Sequence, residues 1–204
     1  MEPNRYGKSG RTRRRIIEKA APLINKKGAA GTSIAELTAA TGLTKGGIYG
    51  NFKDKDELVL AVYDYHAESL NRIFSRELAR AASPGEKLAA CPAVFRKLYA
   101  HTCAYGGCPI VNTATEADDT HPALCRRVAQ TIDALKNRLA ELICRGIETG
   151  EIRPQTDAQR TAGLILSLFE GGGILARVTG RDAFVTDAVD HIEALIADIR
   201  QRER

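Results

Sequence analysis

Tryptophan is absent from the 204 residues, methionine occurs once, and aromatic side chains make up only 5%. Ala, Leu, Ile and Arg are plentiful instead, and this composition favours an all-helical protein. No apolar run approaches the ~20 residues that a membrane span needs, so no membrane-spanning segment is expected. The basic start, MEPNRYGKSGRTRRR, has no apolar stretch behind its charges and is not a secretory signal. Five cysteines stand at 91, 103, 108, 125 and 144, an odd number with no CxxC pair. That disfavours a disulfide framework or a structural zinc and fits a reducing cytoplasm. HExxH, GxSxG and phosphate-loop motifs are missing, as is a His/Cys pair at nucleophile spacing. Neither an enzyme nor a bound cofactor is expected.

What is present is ordinary in amount and uneven in placement. The hydrophobic share is 44% and the charged share 27%, enough for one or two domains with a proper core. The formal charge is +5, but residues 1–53 hold 11 Lys/Arg against 3 Asp/Glu, and residues 54–204 hold 19 against 22. A basic unit on a mildly acidic body points to an anionic partner for that unit, nucleic acid or a membrane surface; residues 11–27 carry few bulky apolar residues on one face, so no membrane partner is expected.

Helical periodicity runs through the chain. Residues 3–10, PNRYGKSG, read as a flexible leader. Residues 11–27 then carry Ile16, Ile17, Ala20, Ala21, Leu23 and Ile24 at helical spacing, and Gly28 is a plausible stop. Ser33 followed by Glu36 forms a capping box for a helix that Gly42 ends. Thr44 caps the next short piece. Asp54 caps a long one, with Glu57 completing a second box. Pro84, Pro109 and Pro122 fit early-helix positions. Asp119 or Thr120 would cap the helix begun at Pro122. Two final helices are expected near 157–180 and 183–202.

The short piece KGGIYGNF places Gly46, Gly47 and Gly50 in a helix, each at a cost of roughly 1 kcal/mol relative to alanine. Two short helices behind a longer one form a helix-turn-helix, whose second helix enters the DNA major groove. Packing through Ile48 and Phe52, against Ile34, Leu37 and Leu43, holds such a helix without intrinsic helicity. Outward glycines allow the backbone to approach DNA closely.

The stretch GTSIAELTAATGLTKGGIYGNFKDKDELVLAV resembles the signature of TetR/AcrR-type transcriptional regulators over about 45 residues. The resemblance implies an all-α protein. Residues 1–53 would be a three-helix DNA-binding domain and 54–204 a helical ligand-binding and dimerisation domain. It implies a homodimer on palindromic double-stranded operator DNA, usually a repressor, released by a small-molecule effector. It implies phosphate contacts from Thr32, Ser33, Tyr49 and Lys55, with Thr44, Lys45 and Gly46 opening the recognition helix. Gly47, Gly50 and Asn51 depart from the family pattern. Lys45, Asn51 and the basic arm Arg11 to Arg15, Arg11 and Arg14 above all, then have to supply more of the contact. Asn51 has three readings: a base, a phosphate or a helix cap.

In the body, GGCP reads as a turn into a helix that places Cys108 near a helix N-terminus, where a thiol pKa falls. The resemblance adds that a subset of the family carries a sensing cysteine there. A redox- or electrophile-sensing repressor acting through Cys108 is therefore the alternative to a reversible ligand. Glu116, Asp118, Asp119 and His121 do not form a defined metal-ligand motif. Pocket candidates, besides Cys108, are Phe95, Leu98, Tyr99, Thr102, Tyr105, Asn112, Glu116, Leu168 and Phe169. The family's dimer interface uses its last two long helices, so Leu166, Phe169, Gly172 and Leu175 are candidates for the subunit contact.

Overall fold

The computed structural model describes residues 8–201, and within them the chain is all-α. Its helices are α1 (Lys8–Lys27), α2 (Ile34–Thr41), α3 (Lys45–Tyr49), α4 (Lys55–Leu78), α5 (Pro84–Ala104), α6 (Pro109–Ala117), α7 (Pro122–Glu148), α8 (Ala158–Thr179) and α9 (Ala183–Ile199). The first begins at Lys8 rather than at Arg11, so the leader contributes to helix; its residues 3–7 lie outside the described ones. The sole strand-like pairing among the described residues is an isolated antiparallel bridge between Ile152 and Arg200.

Local chemistry accounts for most boundaries. Ser33 and Glu36 form the expected reciprocal box at the start of α2, and Gly42 closes it with φ 69°. An unexpected box, Ser83 with Glu86, opens α5 ahead of Pro84. At α4 the Asp54 carboxylate accepts from the Glu57 amide at 2.8 Å. The Glu57 carboxylate, however, reaches the Lys53 amide rather than that of Asp54, so the second box is not reciprocal. Neither Asp119 nor Thr120 caps α7. His121 does, its Nδ1 accepting from the Leu124 amide at 3.2 Å.

The buried apolar residues form two cores. The first joins Ile16, Ala20 and Ile24 of α1, Leu37, Ile48 and Phe52 of the helix pair, and Leu58, Val62 and Tyr63 of α4. It also takes Ile110 and Ala117 from α6 and Leu124 and Val128 from α7, so the body's own helices help to bury the N-terminal unit. The second is built by the C-terminal half of α4 with α5, α7, α8 and α9.

Gly172 sets the α8–α9 approach. A β-carbon there would stand 2.7 Å from Ala188 Cβ, 2.8 Å from the Phe184 carbonyl oxygen and 3.2 Å from Val185 Cα. Two of these atoms are backbone and cannot turn away. Gly172 therefore faces its own chain, and its expected place in a subunit contact is corrected to an intrachain one. Gly172→Ala should force α8 and α9 apart. Overpacking of this kind costs about 1–3 kcal/mol, partly offset by the roughly 1 kcal/mol helix gain of alanine. Urea unfolding should show a lower midpoint; an unchanged or higher one contradicts the reading.

Candidate functional site

The helix-turn-helix is held from behind. Ile48 and Phe52 are both buried, and Thr44 caps α3 by accepting from the Gly47 amide at 3.1 Å. Arg13 of α1 is the clamp. Its guanidinium lies 4.0 Å from the Phe52 ring centroid, pairs with Glu57 at 2.8 Å and donates to the Asn51 carbonyl. One side chain thus ties α1 to the end of α3 and the start of α4. The Lys53 amide, and then Arg13, hold the Glu57 carboxyl below its usual range. The sequence placed Arg13 in a basic arm; its partner Glu57 lies 44 positions away, so no local pattern announced the clamp.

The predicted DNA-facing residues divide in two. Arg11, Arg14, Ser33, Thr44, Lys45 and Gly46 are exposed, and Gly47, Tyr49 and Lys55 are half-buried. A β-carbon at Gly46 or Gly47 would meet nothing closer than 3.4 Å, so internal packing does not demand glycine there. Arg14 is paired with Glu18 along α1 at 2.9 Å. Thr32 is corrected: it is fully buried, and its hydroxyl donates to the Gly28 carbonyl at 2.7 Å. Asn51 is corrected as well. Its side-chain amide donates to the Gly47 carbonyl at 2.9 Å, so it closes α3, the last of its three readings. Ser33 spends its hydroxyl on Glu36. The Lys27 ammonium, then the Ser33 amide and hydroxyl, hold Glu36 at about 2.

Between α4, α5, α6, α7 and α8 lies an apolar cavity of about 70 Å³. Of the predicted lining, Phe95, Leu98, Tyr99, Thr102, Cys108, Asn112 and Phe169 face it. Tyr105 does not: it is half exposed beyond the end of α5, its ring tilted against that of His101. Leu168 is packed on the second core instead. Leu166 and Phe169, expected at the subunit contact, are turned into the cavity, and Phe169 stacks on Phe95 with centroids 4.6 Å apart. The sequence reading missed Glu170, a carboxyl on the cavity wall. Its signal was plain in retrospect: the single acidic residue in GLILSLFEGGGILARVT.

Glu116 lies outside this cavity, on a second pocket beside the α1–α2 turn, where it acts as a connector. It lies at the far end of α6, where its two carboxylate oxygens accept from the Ala29 and Ala30 amides at 2.8 Å each. These amides belong to the turn between α1 and α2. Gly28, at φ 78°, precedes them, and a β-carbon there would fall 2.7–2.8 Å from the same carboxylate. Only glycine satisfies both the left-handed backbone and the close approach. One turn earlier in α6, Asn112 donates to the Asn25 and Gly106 carbonyls at 3.1 and 3.0 Å. Asn25 in turn donates to the carbonyls of Tyr105 and Gly107 at 2.8 and 3.0 Å. Cavity wall and DNA-binding unit are therefore joined by one helix.

The outer face of α8 is apolar. Leu164, Leu175 and Val178 are exposed by 44%, 49% and 78%, and with Leu168 and Gly171 they recur at spacings that align on one helical face. The helix is long and apolar enough to cross a membrane on length and composition alone, yet it packs on α7 and α9.

Cys108 does not have the environment expected of it. It is the N-cap residue of α6 but makes no side-chain cap bond. Burial first, and then the neighbouring Glu170, push its thiol well above the ordinary value, and this outweighs the helix terminus. Cys103 and Cys144 are exposed, and Cys91 is buried and pushed up to about 12. Brief iodoacetamide treatment at pH 8 should therefore alkylate Cys103 and Cys144 and leave Cys91 and Cys108 largely unmodified in the mass spectrum, because the thiolate is the reacting form. Cys108 labelled as fast as Cys103 contradicts this environment.

Comparison with known proteins agrees with this architecture. Residues 16–62 match the family described as bacterial regulatory proteins, tetR family, and residues 84–192 match one described as tetracyclin repressor-like, C-terminal domain. A TetR transcriptional regulator of known structure from Chloroflexus aurantiacus is 41% identical, with a TM-score of 0.90 over 96% of this chain and 99% of its own. Another, from Cytophaga hutchinsonii, is 36% identical, with a TM-score of 0.91 over 98% and 100%. An uncharacterized HTH-type transcriptional regulator of Mycobacterium tuberculosis is 29% identical over 94% of this chain and 98% of its own. The chain belongs to the TetR family of DNA-binding transcriptional regulators.

Proposed function

We propose that this regulator is a cytoplasmic homodimeric repressor that leaves a palindromic operator when a small molecule enters the cavity. The observation that carries the reading is α6, which lines the cavity at Ile110 and Asn112 and holds the α1–α2 turn through Glu116. The division of labour falls near residue 53, with DNA binding before it and ligand binding and dimerisation after it. At about 70 Å³ the cavity is half the size of a 150 Å³ apolar cavity that holds benzene. A ligand of ordinary size has to move a wall. A wall that moves with α6 carries the DNA-binding unit with it. The ligand shifts the equilibrium only to the extent that it prefers the conformer with displaced recognition helices.

On DNA, Lys45 and the glycine face of α3 approach the groove, and Tyr49, Lys55, Thr44 and the Ser33 end of α2 meet phosphates. Arg11 and Arg14 extend the basic surface, Arg14 after exchanging Glu18 for a phosphate. Two copies joined along α8 and α9 would set the recognition helices one turn of DNA apart, about 34–36 Å. Leu175 and Val178 supply the apolar surface for that contact.

The DNA reading is tested by titrating an operator duplex, taken from upstream of the protein's own gene, across a range of salt. Affinity should fall steeply as salt rises, since each neutralised phosphate releases counterions with a slope of about −0.9 per contact. Lys55→Ala should weaken binding to all sequences alike and flatten the slope by about one unit. A flat salt response in the unmodified protein would sink the proposal.

The assembly is tested by Leu175→Glu. An unpaired charge in a subunit contact costs several kcal/mol, so sedimentation should show the dimer dissociating at concentrations at least about 100-fold higher than for the unmodified protein, a change worth roughly 3 kcal/mol. A dimer of undiminished stability would place the interface elsewhere.

A further inference from the structure

We propose that the cavity selects an organic cation, an apolar body carrying one positively charged nitrogen, and that Glu170 is its counter-charge. The inference rests on the reading of this cavity as the effector site and adds the chemical class of the effector.

Glu170 supplies the only carboxyl among the described residues that line the cavity. It is poorly matched there. Its one hydrogen-bond partner among the described residues is the Cys108 thiol, at 3.4 Å, and it has no ion pair. A thiol is a weak donor and compensates a carboxylate little. Burial accordingly raises the Glu170 pKa, which disfavours the ionised form. With the folded value above the unfolded one, any stability that Glu170 contributes is present at low pH and lost as pH rises through the folded value. At neutral pH the acid thus works against the fold, whereas glutamine of the same shape would not. A cation beside it reverses that balance.

The rest of the wall suits the same ligand. Phe74, Phe95 and Phe169 form a run of stacked rings, with centroids 6.2 and 4.6 Å apart, and Tyr99 adds a fourth. Aromatic faces attract a cation without requiring hydrogen bonds, and most strongly where water is excluded. Arg177 is the one opposing charge. It lines the cavity beside Gly107 but is exposed, so water and salt screen it, whereas Glu170 faces the interior. An anion would find its partner at the rim, and a cation finds its partner inside.

Three probes of one shape test this by calorimetry at pH 7.5 on the full chain: phenyltrimethylammonium, the neutral isostere tert-butylbenzene, and the anion benzenesulfonate. The ammonium should bind at least about ten-fold more tightly than the neutral isostere, a difference of roughly 1.4 kcal/mol, and the sulfonate most weakly. In Glu170→Gln, whose melting temperature at this pH should be no lower than that of the unmodified protein, the preference for the ammonium should shrink to within about two-fold. Equal binding of ammonium and isostere, tighter binding of the sulfonate, no binding of the ammonium at millimolar concentration, or a preference that survives Glu170→Gln overturns the assignment. The first three outcomes are read on the unmodified protein and need no variant. Operator release is followed separately by fluorescence anisotropy. Selective binding without release sinks the effector reading and leaves the cation site standing; release by all three probes alike sinks the cation site alone.

Discussion

One carboxylate holding two backbone amides organises much of this molecule. Glu116 ends the short helix α6, and the Ala29 and Ala30 amides it accepts from open the connection into the helix-turn-helix. Charge-assisted bonds of this kind are about twice as strong as neutral ones, and the geometry around them is exacting. Gly28 has to be glycine for the carboxylate to come so near. Ile110 and Ala117 are buried in the N-terminal core, which fixes α6 against α4 and α7. The same helix presents Asn112 to the cavity and to Asn25 at once. A displacement of α6 therefore has few places to go except into the turn between α1 and α2.

The recognition helix is a passive rider on this frame. Five residues with two glycines among them have little helical preference. α3 stands because Thr44 caps one end and Asn51 the other, Ile48 and Phe52 anchor its inner face, and Arg13 clamps its exit. Apart from Ile48, each support comes from outside the helix. Its outer face is left bare, which suits a surface meant to lie close to another molecule.

The fold was legible in the sequence to the extent that it is local. Capping at Ser33, Thr44 and Asp54, the stops at Gly28 and Gly42, and prolines at the first turns of three helices are written within four or five residues of where they act. What escaped is long-range. Glu116 meets residues 86 and 87 positions away, Asn25 meets Gly107 across 82, and Arg13 meets Glu57 across 44. Composition cannot reveal that a carboxylate near DDTHP serves a distant turn rather than a ligand. Gly172, expected at the subunit contact, meets α9 of its own chain, while the apolar stripe through Leu164, Leu175 and Val178 faces out. For Cys108 the helix terminus was read correctly, but burial and a nearby acid decide its chemistry.

The two cores and the cavity between them form one mechanical unit only if filling the cavity reaches the α1–α2 turn. Gly173 offers a direct way to ask. It lines the cavity, and a β-carbon there meets only the Tyr99 ring, at 3.7 Å, so Gly173→Phe should deliver a ring into the space a ligand would take. Residue-resolved amide hydrogen exchange on this variant is the measurement that bears most directly on the account. The Ala29 and Ala30 amides should exchange faster than in the unmodified protein, as Glu116 is drawn away, while those in the middle of α9 keep their rates. Unchanged exchange at Ala29 and Ala30, with the introduced ring seen inside the cavity, would mean that α6 does not transmit its occupancy.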